Sequence, residues 1–246
     1  LRPPSDPRTW AAYLVMGALN NAIPFSLIFW GQTTIESGLA SILNGTTAVF
    51  GAVVAGVLLV DEPLTSRKVI GALFGIFGVA VIMGLDALTK LDPRNLAQLA
   101  VLCGALSYAF ASVWGKVALG RIAPEMNALG MLIGSTVLMI PIAIWSDGIP
   151  TLYLSTKVWA SLLALSVFST ALAYLLYFAI LARAGSANLM LVTLLIPPFA
   201  IGLGVLFLDE QLDLDAWIGF GLIAIGLIIT DGRVLAKIVG AKRVST

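Results

Sequence analysis

No histidine occurs in the 246-residue sequence, and Cys103 is its single cysteine. Histidine is the commonest general base near neutral pH and a principal metal ligand. Its absence removes most acid–base enzymes and histidine-held metals together. A lone thiol builds neither an internal disulfide nor a thiolate cluster, so neither a metal site nor a cofactor is expected. Charge is also scarce: Asp, Glu, Lys and Arg make up 11% of the chain, about half the share of an average soluble domain. Fourteen basic residues against 13 acidic ones leave a net +1, too little field to gather nucleic acid. There is no Gly-x-x-x-x-Gly-Lys-Ser/Thr run, which excludes a P-loop nucleotide motor.

What the chain has is apolar length. Hydrophobic residues reach 59% and the mean hydropathy is +1.01, far from the composition of disorder. A membrane-spanning helix needs about 20 mostly apolar residues. Eight stretches qualify: 9–30, 38–60, 67–85, 96–118, 125–145, 158–181, 186–208 and 214–231. They are continuous rather than alternating, the pattern of helices and not of a membrane β-barrel. The expected fold class is an all-α polytopic integral membrane bundle of about eight helices. Eight spans put both termini on one side, which then holds 11 of the 14 basic residues. The positive-inside rule makes that side cytoplasmic.

The sequence repeats. Shifted by 148 positions, 52–84 matches 200–232 at Gly56/Gly204, Asp61/Asp209, Glu62/Glu210, Leu64/Leu212, Ile70/Ile218, Gly71/Gly219, Gly78/Gly226 and Gly84/Gly232. Trp10 and Trp159 open corresponding helices further upstream. The loop at 61–68 carries Arg67 and Lys68, whereas its counterpart at 209–215 is purely acidic. One unit with opposite charge bias in its two copies is the mark of an inverted-topology repeat, an arrangement recurrent in secondary transporters.

The run Ser-Gly-Leu-Ala-Ser-Ile-Leu-Asn-Gly-Thr-Thr-Ala-Val-Phe from Ser37 to Phe50, then Asp61-Glu62-Pro63-Leu64 and Gly71, resembles EamA-type members of the drug/metabolite transporter superfamily. The second copy, Ser186-Ala187-Asn188 through Pro197-Pro198 to Asp209-Glu210-Gln211-Leu212 and Gly219, resembles the family's second half. The resemblance implies two five-helix halves with cytoplasmic termini in the plasma membrane. It also implies secondary transport, by export, of small metabolites such as amino acids or related amphipathic solutes. On that pattern 1–88 is an incomplete first repeat of three helices, 95–232 a complete second repeat of five, and 233–246 a cytoplasmic tail. Two leading helices are expected before Leu1, since the polar opening Leu-Arg-Pro-Pro-Ser-Asp-Pro-Arg reads as an inter-helix loop. Ala48 stands where the family often has proline. The rival readings are a non-transporting membrane scaffold or subunit and, further off, a membrane-embedded lipid enzyme. The expected partners are a small solute and lipid, with no nucleic acid, and association of two copies stays open.

Polar side chains inside a bilayer are costly and turn to a cavity or a partner. Asn20 and Asn21 lie near the middle of the first stretch, and Pro24, lacking an N–H, frees the carbonyl of Asn20. Asn44, Thr46 and Thr47 fall on the next stretch; Asn188 and Thr193 fall on its repeat partner, where Pro197 and Pro198 are expected to kink the helix. Thr170, Tyr174 and Tyr177 share a helical face at i, i+4 and i+7, with Ser169 beside them. Tyr108 and Trp114 add aromatic walls. The candidate substrate site is therefore Asn20, Asn21, Asn44, Tyr108, Trp114, Thr170, Tyr174, Tyr177 and Asn188. Gly71, Gly75 and Gly78, echoed by Gly219 and Gly226, read as a stripe for close helix packing. Asp61 and Glu62 read as solvated loop charges, and Lys116 as a lysine reaching for the headgroups.

Overall fold

The computed structural model describes residues 4–151, 153–208 and 213–231. Among these there is no strand; eight apolar helical rods follow one another. The first, α1, is Pro7–Gln32. The Asp6 carboxylate accepts from the Arg8 N–H at 3.1 Å, and Pro7 opens the helix where its missing N–H costs nothing. Ser37–Leu58 forms α2 and Ser66–Met83 forms α3, capped by the Thr65 hydroxyl. Then come α4, Leu96–Leu119, capped by Asn95, α5, Pro124–Asp147, and α6, Thr156–Ala184, capped by Ser155. The last two rods are α7, made of Ser186–Met190 and Val192–Leu208, and α8, Leu214–Asp231. The first six are long and apolar enough to cross a membrane.

The repeat reappears as geometry. Rod α1 contains a π-helical segment, Ala18–Ala22; displaced by 148 it falls inside a second one, Leu165–Leu172 of α6. Such segments widen the helix by one residue per turn and cluster at functional positions. Both α2 and α7 are broken, α2 at Thr46 and α7 at Leu191. Threonines mark both breaks: Thr46 and Thr47 donate to the carbonyls of Leu43 and Asn44, each at 2.6 Å, and Thr193 to that of Met190 at 2.9 Å. The break in α7 and the prolines expected to kink it fall at different positions. Pro197 and Pro198 lie inside the continuous helix Val192–Leu208, and the interruption comes upstream, where Leu194 N–H turns back to the Leu191 carbonyl.

The most extensive helix–helix interface joins α3 to α8. Gly71 faces Gly226, and Gly78 faces Gly219, each close enough that an added Cβ would strike the opposing backbone. The 148-residue shift turns Gly71 into Gly219 and Gly78 into Gly226, so one contact maps onto the other with the partners exchanged. That is the signature of a two-fold axis between antiparallel copies. Helix α4 occupies the centre, packing against α1, α2 and the start of α7. Of the six long rods α6 is the least covered, with 6% of its apolar window buried against 61% for α4.

Candidate functional site

The π segment of α1 turns two amides inward. Asn20 and Asn21 are 1% and 5% exposed. The Asn21 amide nitrogen donates to the Ser135 hydroxyl of α5 at 3.1 Å, and its oxygen accepts from the Tyr174 hydroxyl of α6 at 2.7 Å. Asn20 Nδ2 donates to that same oxygen at 3.3 Å and to Met131 Sδ at 3.5 Å. Alongside, the Ser107 hydroxyl of α4 donates to the carbonyl of Leu19 in the π segment at 2.7 Å. The rings of Tyr174 and Tyr177 meet edge-on at 6.0 Å, and Tyr177 meets Phe178 at 5.2 Å. Tyr108 packs on the same apolar cluster. Two buried atoms here, Asn20 Oδ1 and the Tyr177 hydroxyl, have no hydrogen-bond partner among the described residues. An unmet buried polar group costs about 1–3 kcal/mol, so each is left able to take a further hydrogen bond.

Five of the nine candidate residues therefore meet: Asn20, Asn21, Tyr108, Tyr174 and Tyr177. The other four are not drawn into this network. Trp114 donates from Nε1 to the carbonyl of Ala12 at 3.0 Å and lines a separate cavity of about 430 Å³ with Thr9, Val15 and Ala118. Thr170 is half-buried in the π segment of α6, outside the hydrogen bonds just described. Asn44 is the last residue but one of the first piece of α2, and its buried Oδ1 has no hydrogen-bond partner among the described residues. Asn188 is exposed and bonds back to the Ala184 carbonyl at 2.9 Å, a local use that its place one turn into α7 dictates. Pro24 and Pro197 are buried.

Sequence reading passed over Ser107, Met131 and Ser135, single residues in long apolar runs that carry no pattern of their own. It also misjudged two charges. Glu62 is not solvated: it is 9% exposed. Its Oε1 accepts from the Ser186 N–H and its Oε2 from the Ala187 N–H, both at 2.8 Å. Lys116 does not reach for headgroups, because its ammonium lies 2.6 Å from both Glu62 Oε1 and Asp61 Oδ2. Behind this cluster the Ser112 and Ser186 hydroxyls share a 2.5 Å hydrogen bond. At the opposite end of the bundle Glu36 pairs with Lys90, both exposed.

Burial pushes the Glu62 carboxyl up, but the Ala187 N–H, the Lys116 ammonium and the Ser186 N–H outweigh it and hold it below the ordinary value. The Lys116 ammonium holds Asp61 below its ordinary value as well. Groups with depressed folded values stabilise the structure above their ordinary pKa, and that contribution is lost as pH falls through the lowered value. Both carboxylates are thus ionised at neutral and mildly acidic pH.

The profile of the EamA-like transporter family matches residues 1–84 and 95–230. The chain belongs to that family. Among similar proteins, the uncharacterized transporter YvbV of Bacillus subtilis is 30% identical over 233 residues, covering 93% of this chain and 74% of YvbV. The uncharacterized transporter YoaV of the same organism is 26% identical over 219 residues, covering 89% of this chain and 74% of YoaV. Protein PecM of Dickeya dadantii is 25% identical, covering 88% and 72% respectively. A solved crystal structure superposes with a TM-score of 0.77 at 19% identity, covering 93% of this chain and 76% of the other. This EamA-like chain is thus a multi-pass membrane transporter spanning about three quarters of the length of these relatives. Because Asp61 is ionised well below neutrality, Asp61→Asn is expected to leave the shape of the transport pH profile unchanged. A lost response to an imposed pH gradient would instead make Asp61 a proton carrier.

Proposed function

We propose that this EamA-like chain exports small amphipathic solutes, amino acids among them, across the plasma membrane by alternating access. In this reading the termini are cytoplasmic. Residues 1–88 and 95–232 form the two inverted units, and 233–246 are a cytoplasmic tail. The observation that supports it is the hydrogen-bonded bridge at Asn21. It joins α1, from the first unit, to α5 and α6, from the second, and leaves an amide oxygen and a phenol hydroxyl unmet beside aromatic rings. A solute with both a hydrogen-bonding head and an apolar body matches that lining. Rocking of one unit against the other would expose the bridge to either side in turn.

The test is solute movement by the purified chain in liposomes, with a panel of labelled amino acids and related zwitterions. Transport above that of protein-free liposomes is expected for some of the panel, and Tyr174→Phe, which keeps the ring but loses the bond to Asn21, should lower the initial rate about threefold or more, the equivalent of about 0.7 kcal/mol. No movement of any panel member would overturn the proposed substrate class. Accumulation only in right-side-out vesicles would overturn export.

A further inference from the structure

Resting on the alternating-access reading, we propose that Glu62 is the latch that keeps the cytoplasmic end of the transporter shut. Its carboxylate joins three elements at once. It lies in the segment leaving α2, accepts from the Ser186 and Ala187 N–H groups at the start of α7, and pairs with Lys116 of α4. These elements come from both units of the inverted repeat, so the contact ties one unit to the other. The end bearing Glu36 and Lys90 has a different character among the described residues. That ion pair has side chains 68% and 52% exposed, and exposed pairs contribute little. Glu210, the repeat counterpart of Glu62, lies outside the described residues.

The contact is built for release as well as closure. Asp61, its side chain 69% exposed, holds the same ammonium from the solvent side. When Glu62 lets go of α7, Lys116 keeps a carboxylate partner, so opening does not strand a half-buried cation. Gly185 completes the device. It has φ +83°, a conformation that favours glycine, and an added Cβ would fall 2.5 Å from Glu62 Oε1 and 2.8 Å from its carboxyl carbon. Glycine is what lets the carboxylate approach the N–H groups of Ser186 and Ala187. Ala187 itself is 4% exposed, and further along α7 Met190 is 3% exposed and packed on Gly51. In the latched form Met190 is therefore closed to solvent.

Reporter cysteines test this independently of flux. Cys103 is replaced by serine, a cysteine is placed at Ala187 or at Met190, and labelling by a membrane-impermeant charged maleimide is timed from the cytoplasmic face. With Glu62 intact both reporters should label slowly. Glu62→Gln, which keeps the shape but removes the charge, should accelerate both at least tenfold, and Gly185→Ala should do the same from the other side of the contact. Lys116→Met leaves the two N–H bonds in place and should give a smaller gain, about threefold. Unchanged rates at Met190 in Glu62→Gln would overturn the latch. So would acceleration confined to Ala187, which is local fraying of a capped helix. If Glu62→Gln does not fold, Lys116→Met and Gly185→Ala decide the question by the same readout. Because labelling reads conformation, a chain found to carry no amino acid could still show the latch, and a transporting chain could still lack it.

Discussion

Asn21→Leu is expected to lower the initial transport rate at least tenfold while the chain still folds and reaches the membrane. The amide is the hub of the mid-span cluster: its nitrogen bonds Ser135 and its oxygen collects both the Tyr174 hydroxyl and the Asn20 amide. Leucine keeps the branched outline, with more bulk, and leaves the Tyr174 phenol and the Asn20 amide without this acceptor. Each orphaned buried group costs about 1–3 kcal/mol, and about 1.4 kcal/mol is a factor of ten. Ser135 is affected less, because its hydroxyl also donates to the Leu132 carbonyl at 3.0 Å. The check is initial rate per folded molecule, measured beside the melting temperature. A lower melting temperature with an unchanged rate in both Asn21→Leu and Tyr174→Leu would mean that these residues only glue helices together, and would remove them from the solute site.

The other large effect is on stability. Gly78→Val should lower the melting temperature by about 5–10 °C, on the scale of about 2–4 °C per kcal/mol for a chain of this size. A Cβ at Gly78 would lie 2.7 Å from the Gly219 carbonyl oxygen and 3.0 Å from the Ile223 nitrogen. Both are backbone atoms of α8 and cannot turn aside, so the helices must separate along their whole contact. Overpacking of a tight core typically costs about 1–3 kcal/mol, and valine adds two methyl groups beyond the Cβ. Gly221→Val is the control, since a Cβ there meets nothing within 4 Å. A melting temperature as low in Gly221→Val as in Gly78→Val would show that helix propensity, not the α3–α8 contact, sets the effect.

The rods and their order were legible in the sequence because hydrophobic length is a one-dimensional property. The expected stretch 96–118 became Leu96–Leu119, and 67–85 became Ser66–Met83. The glycine stripe was legible too, since in a membrane small residues at helical spacing have one common use. The π segments were not. Pro24 accompanies the one in α1, but Leu165–Leu172 contains no proline and has no comparable signal. The candidate site was half legible. Asn20, Asn21, Tyr174 and Tyr177 stood out as polar atoms in apolar runs, whereas their link through Ser135 depends on which helices lie side by side. Glu62 was misjudged for the same reason. A carboxylate after a helix end is solvated unless another chain segment brings N–H groups to it, and Ser186 lies 124 positions away.

The paired glycines of α3 and α8 carry a historical consequence. Gly71 meets Gly226 while Gly78 meets Gly219, so each helix offers the other the same surface in reverse, as the two subunits of a symmetric dimer do. A single helix bearing both glycines already holds both sides of that contact. A half-length ancestor could therefore have met its own copy, inserted in the opposite sense, through this surface before any gene joined the two. Fusion would have fixed their stoichiometry and orientation, and after it either copy was free to diverge. The basic loop at 61–68 and the acidic one at 209–215 differ in the way that such freedom allows.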